Sequence, residues 1–178
     1  TALGEEYNGM LLSCEPTRNV VFGYKPRPQS AGFALERFNF FGSNPTDKFY
    51  GADFAQTNAR NSEARFQFRP SDIAIGTDGA IYVADWFDTR VGGHGAYDEK
   101  GVGSIYRITR KGEEMKAPKI NYSTTKGLIE AFKNPSHNVR GSAFYGLREK
   151  GASAVSAVAK LLDDDNLYVQ ARAVFLLP

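Results

Sequence analysis

The side chains best equipped for chemistry stand between positions 69 and 94. Asp85, Asp88 and His94 form the one grouping with metal-ligand character, since carboxylates suit hard cations and imidazole suits zinc or iron. Their spacing follows no metal motif, and a plainer account stands beside the ligand one. In it Asp85 caps a strand end, Trp86 and Phe87 pack on a neighbouring element, and His94 bonds backbone within a glycine-rich loop. Arg69 offers a fork of donors to an anion, but an arginine ahead of a buried strand more often pairs with a nearby carboxylate such as Asp72. Asp72 reads as an orienting or turn-capping residue rather than an acid or base. The run Asp163-Asp164-Asp165-Asn166 has the carboxylates of a calcium loop without its glycine or terminal glutamate, so it reads as an acidic lead-in to a helix. His137 reads as a surface or capping residue at a helix start, and Cys14, in an apolar run, as a small buried hydrophobe rather than a reactive thiol. No phosphate-cradling glycine loop and no Ser-His-Asp arrangement is visible.

The elements that must position these residues fall into two textures. As far as about Thr109, apolar residues come in short runs rich in β-branched and aromatic types, at 10–14, 20–24, 33–41, 73–75, 80–84 and 104–108, separated by Gly, Pro, Asn and Asp. That pattern predicts strands. The clearest hairpin joins Ile73 and Ile75 to Ile81 and Val83 through Thr77-Asp78-Gly79, whose types supply the positive φ of a tight turn. Two long polar or glycine-rich loops interrupt the strands, between Phe41 and Phe68 and between Thr89 and Gly103.

From about Ser123 the apolar period becomes helical, with Leu128, Ile129 and Phe132 on one stripe and Val139, Ala143, Phe144 and Leu147 on the next. One of Ser123, Thr124 or Thr125 caps the first helix, Asn134-Pro135 ends it, Ser136 caps the second, and Gly151 closes that one before a third begins at Ala152. Residues 138–147 superpose on 168–177, with Val139 and Val169, and Ala143 and Ala173, 30 positions apart (169 − 139 and 173 − 143). A period near that length in paired helices predicts a solenoid, which needs about three repeats where this chain holds two at most.

Charge and composition narrow the partners. Lysine and arginine number 22 against 20 acids, so the chain lacks the one-signed field that nucleic acid or an anionic membrane surface requires. No apolar stretch reaches the length of a membrane span, and the first residues show no signal-peptide pattern. Thr1 at one end and the apolar run before Pro178 at the other predict a piece of a longer protein.

Three segments together carry a family resemblance: 15–21, then 68–88 with its Arg69-Pro70-Ser71-Asp72 and Tyr82-Val83-Ala84-Asp85-Trp86, then Gly92-Gly93-His94 with 103–108. They resemble the last blades of large bacterial proteins of the membrane-bound dehydrogenase family. These join a β-propeller similar to soluble quinoprotein glucose or sorbosone dehydrogenase to HEAT repeats and often to a cytochrome c domain. The implied fold class is segregated, β then α: antiparallel blades of a partial propeller over 1–115, a linker over 116–123, and about two incomplete HEAT-like repeats over 124–178.

The resemblance implies a sugar or alcohol dehydrogenase as the parent, in the bacterial periplasm or outside the cell, using pyrroloquinoline quinone and calcium. Arg18, Arg69 and Asp72 then stand at cofactor-binding positions. The family's second late arginine falls on Ser71, and a basic residue of the preceding blade falls on Thr17 beside Arg18. The family's catalytic histidine and calcium segment belong to earlier blades, so the chain alone is expected to be inactive. The alternative is a non-enzymatic scaffold that binds glycans or, through its helices, a protein partner.

Overall fold

The computed structural model describes residues 3–43, 68–87 and 103–177. Among the described residues six strands come first, β1 (Leu11–Glu15), β2 (Val20–Gln29), β3 (Gly32–Gly42), β4 (Pro70–Ile75), β5 (Ile81–Asp85) and β6 (Ser104–Ile108). Four helices follow, α1 (Thr125–Phe132), α2 (His137–Lys150), α3 (Ala152–Ala159) and α4 (Leu167–Val174), with short 3-10 turns at Glu5–Tyr7 and Lys160–Asp163. The chain divides into two compact units. One comprises Gly4–Ala74 and Ile81–Ile108, the other Thr1–Leu3, Ile75–Ala80 and Thr109–Pro178.

The strand unit holds two three-stranded sheets, β1-β2-β3 and β4-β5-β6. In the first, β2 runs antiparallel to both neighbours, from Leu11 opposite Tyr24 to Glu15 opposite Val20 on one side and from Val20 opposite Gly42 to Gln29 opposite Gly32 on the other. The apolar half of β2, Val20 to Phe22, is buried, while its polar half from Lys25 is mostly exposed. Because β1 stops at the level of Tyr24, the rest of β2 has a partner only in β3 among the described residues. That stretch contains Pro26 and Pro28, which cannot donate to a ladder and so turn their nitrogens away from β3. In the second sheet Ile81, Val83 and Asp85 point inward and alternate with half-buried Tyr82 and Ala84. Proline opens the strand β4, at Pro70, where its missing donor is tolerated.

In the helical unit Leu128, Ala131, Phe132, Val139, Ala143, Leu147, Val158 and Leu161 form one apolar core with Val169 and Ala173. Thr124 caps α1 by accepting from the Gly127 N–H at 3.1 Å. Only glycine fits at 127, since a Cβ there would stand 1.9 Å from the Asn121 carbonyl oxygen. Ser136 precedes α2 without a side-chain cap, because its hydroxyl donates instead to the Ile75 carbonyl at 2.8 Å. The turn that carries Ile75 is closed by Gly79, whose φ of 81° favours glycine, and by the Ala80 N–H on the Asp78 carboxylate.

The internal repeat is written in hydrogen bonds as well as side chains. Arg140 donates through Nη1 to the Asn134 carbonyl at 2.9 Å, and Gln170 donates through Nε2 to the Asp164 carbonyl at 2.6 Å, one repeat later. The Ser136 N–H bonds the Asn134 side chain as the Asn166 N–H bonds Asp164. Leu128 and Ala131 are likewise matched by Val158 and Leu161 in the buried set.

The expected fold class is corrected by this architecture. A propeller needs sheets of about four strands set radially around a channel. The described residues form two separate sheets of three strands each, with neither a closed ring nor blades. Nor do the described residues form a solenoid: their four helices make two pairs in sequence, fewer than the stack that would bury each pair between neighbours. The described chain is a small mixed α and β structure. Strand texture specifies half-buried ribbons without specifying how many close on one another, and a doubled helix pair shows a period without an array.

Candidate functional site

The resemblance directs attention to Arg69, and the sequence explains where that residue comes to rest. It sits between buried Phe68 and Pro70 at the entry to β4, so its backbone cannot turn to water. The Trp86 N–H donates to the Arg69 carbonyl at 2.9 Å, and the Arg69 N–H donates to Oδ1 of Asp85 at 2.7 Å. Asp85 thus caps the start of one strand from the end of the next. Its second oxygen accepts from the Tyr106 hydroxyl at 3.4 Å, and the residue is 5% exposed.

The guanidinium of Arg69 faces the first sheet. Nη1 donates to the Pro16 carbonyl at 2.9 Å, in the connection between β1 and β2. Asn19, in the same connection, donates through Nδ2 to the Phe68 carbonyl at 2.6 Å. It is fully buried and has a φ of 57°, a left-handed conformation that asparagine tolerates better than most residues. Phe41, Phe68 and Tyr106 meet edge to face beside these groups, with centroids 5.2 to 5.7 Å apart. Two sheets are therefore joined by a polar clasp (Pro16, Asn19, Arg69, Asp85) and an aromatic triad.

This geometry does not suit a tricarboxylate cofactor at Arg69. The residue is 3% exposed and its guanidinium bonds the chain's own carbonyl, whereas bidentate capture of a carboxylate needs an accessible fork. Arg18 is half-buried in the connection that Arg69 reaches, and its N–H bonds the Glu15 carbonyl at 3.2 Å. The structure therefore brings the Arg18 segment and Arg69 together, around backbone. Asp72 is exposed, and its carboxylate accepts from the Ile73 N–H at 2.8 Å.

Of the weaker metal candidates, Asp85 belongs to the clasp, while Asp88 and His94 lie outside the described residues. The two long loops expected between strands also fall largely outside them. Among the described residues no three His, Cys, Asp or Glu side chains gather where a metal ion would be held. Cys14 is half-buried, and burial, aided by the charge of Asp72, pushes its thiol above the ordinary value, which disfavours the thiolate. Trp86, expected to pack on a neighbour, is instead 70% exposed. His137 is exposed at the start of α2, and Asn166, directly after the acidic run, caps α4 by accepting from the Tyr168 N–H at 2.9 Å.

A hollow on the surface lies elsewhere, at the far end of β2 and β3. It is lined by Arg27, Pro28, Gln29, Ala34, Leu35 and Glu36, and the exposed Arg27–Glu36 pair at 2.5 Å borders it. It is open and contains none of the predicted site residues. Sequence reasoning missed Asn19 and Tyr106. For Asn19 a signal existed, an asparagine closing the Pro16-Thr17-Arg18 turn ahead of an apolar strand. For Tyr106 there was none beyond its place in a strand. No family model, curated protein or solved structure matches the chain.

Proposed function

We propose that this chain is a non-catalytic binding module that engages a protein partner. The observation that supports this reading is the use made of its most reactive-looking side chains. Arg69, Asn19 and Asp85 are buried and bonded to backbone, so they hold sheets together and are not presented to a substrate. The surface that does lie open carries large apolar groups, among them Phe33, Trp86, Ile105, Leu167, Tyr168 and Phe175. Such groups suit contact with another protein.

The sequence run 68–88 supports a second reading for the parent protein: a sugar or alcohol dehydrogenase of the bacterial periplasm or exterior, to which this chain contributes packing. One set of measurements separates the two. The chain and any longer form that contains it are titrated with pyrroloquinoline quinone in calcium, assayed for sugar-dependent dye reduction, and tested by pull-down and glycan array. A specific protein partner with no saturable quinone binding is the expected result. Quinone binding near micromolar affinity together with dye reduction would replace the first reading by the second, and glycan-array signal alone would change the partner from protein to carbohydrate.

A further inference from the structure

The connection between α1 and α2, with the last residue of α1, is a meeting point of cations. Arg172 on α4 lays its guanidinium over the Phe132 ring, 5.6 Å from the centroid. Arg140 on α2 donates through Nη1 to the Asn134 and Pro135 carbonyls, at 2.9 and 2.6 Å, and Lys133 bonds the Asp164 carboxylate. Both oxygens of Asp164 are taken, the second by the Asn166 N–H at 3.0 Å. The internal repeat accounts for Arg140 but not for Arg172. Arg140 has its counterpart in Gln170, which bonds the carbonyl of the second connection in the same way, whereas the position matching Arg172 in the first repeat is Ser142. The Arg172 Nε–H is buried and has no hydrogen-bond partner among the described residues. A buried donor left unbonded is costly. Burial, and after it the charge of Arg140, holds the Arg172 guanidinium below its ordinary value, with Asp164 opposing them in part.

We propose that Arg172 and Arg140 together hold an oxyanion, a carboxylate or phosphate group, beside this connection. A guanidinium presents its donors in a fixed fork that matches two oxygens of such a group. Arg140 commits Nη1 to the two carbonyls, which fixes its remaining donors in place, and Arg172 is steadied by the Phe132 ring. Little side-chain freedom is then left to lose on binding. An anion between them offsets the repulsion of two like charges and supplies the acceptor that the Arg172 Nε–H lacks. A cation would add to the repulsion, and an apolar group would leave the donor unbonded. Both arginines are half-buried and not sealed, so a small ion can reach them from water.

The inference goes beyond the protein partner proposed above and requires none, since its probe is the ion alone. The full chain, isotope-labelled, is titrated at constant ionic strength with inorganic phosphate and separately with acetate, while the arginine Nε–H signals are followed by nuclear magnetic resonance. The Arg172 and Arg140 signals should move together to saturation, and that of Arg148, exposed at the end of α2, should not. The ion that saturates at the lower concentration assigns phosphate or carboxylate. Arg172→Gln should weaken binding about 10-fold or more, and Arg172→Lys, which keeps the charge without the fork, should weaken it less. An unchanged amide spectrum shows that each variant is folded. Shifts that never saturate, shifts that chloride produces equally, or an Arg140 signal that reports the same affinity in Arg172→Gln would each overturn the proposal, leaving Arg172 as a group that only stacks on Phe132.

Discussion

The two units are held by different means. In the helical unit the interior is mainly apolar, from Leu128 and Phe132 to Val158 and Ala173, with Asn134 and Ser136 buried beside it, and other polar groups act at its margins as caps and carbonyl partners. The strand unit has a smaller apolar interior, chiefly Val20, Val21, Phe22, Phe68, Ile81 and Val83, and it closes through buried Asn19, Arg69 and Asp85. An apolar interior is non-directional and distributes its stabilisation over many contacts. A clasp of buried hydrogen bonds is directional, and the loss of one member leaves its partners unsatisfied.

The comparison can be broken or sharpened by substitution. The largest effect is expected from Phe132→Ala, which removes a ring that is 1% exposed and should cost about 3–5 kcal/mol. Hydrogen exchange read by mass spectrometry should then show lost protection in α1 and α2 while β4 and β5 stay protected. Equal loss in both units would mean that they do not differ as described. Next comes Asp85→Ala, which leaves the Arg69 N–H without its carboxylate and should cost about 1–3 kcal/mol, with exchange rising first in the entry to β4 and in the connection between β1 and β2. An unchanged denaturation midpoint would show that the clasp is ornamental.

The smallest effect concerns acid. Asp164 accepts from the Lys133 ammonium and from the Asn166 N–H, and these bonds hold its carboxyl below its ordinary value of 3.8. A depressed folded-state value contributes stability above the unfolded value, and the contribution is lost as pH falls through the folded one. Asp164→Asn should therefore flatten the decline of helical-unit stability below about pH 4 and change little at high salt, where an exposed pair is screened. A steeper acid decline in the variant would reverse the assignment.

How much of this was legible in the sequence differs between local and global features. Period and turn chemistry mark the individual elements: the run 104–108 is β6, Thr124 is the one of three candidates that caps α1, and Gly151 closes α2. These features depend on residues near one another in the chain. The arrangement of strands did not follow, because three strands in each sheet read the same as three strands of a larger closed structure until their neighbours are known. The clasp was hidden for a related reason. Arg69 and Pro16 are 53 positions apart, and nothing local to Arg69 marks its partner as a carbonyl rather than Asp72 or a ligand. Ser136 shows the same limit in small. Its type and place predict a helix cap, yet the Ile75 carbonyl competes for the hydroxyl and takes it.

Pro26 and Pro28 set a boundary on how this molecule can aggregate. Where β1 has ended, the flank of β2 away from β3, which has no strand partner among the described residues, keeps carbonyl acceptors but is missing two amide hydrogens, so an incoming strand would find alternate rungs absent. Fibril growth by ribbon addition has no template there.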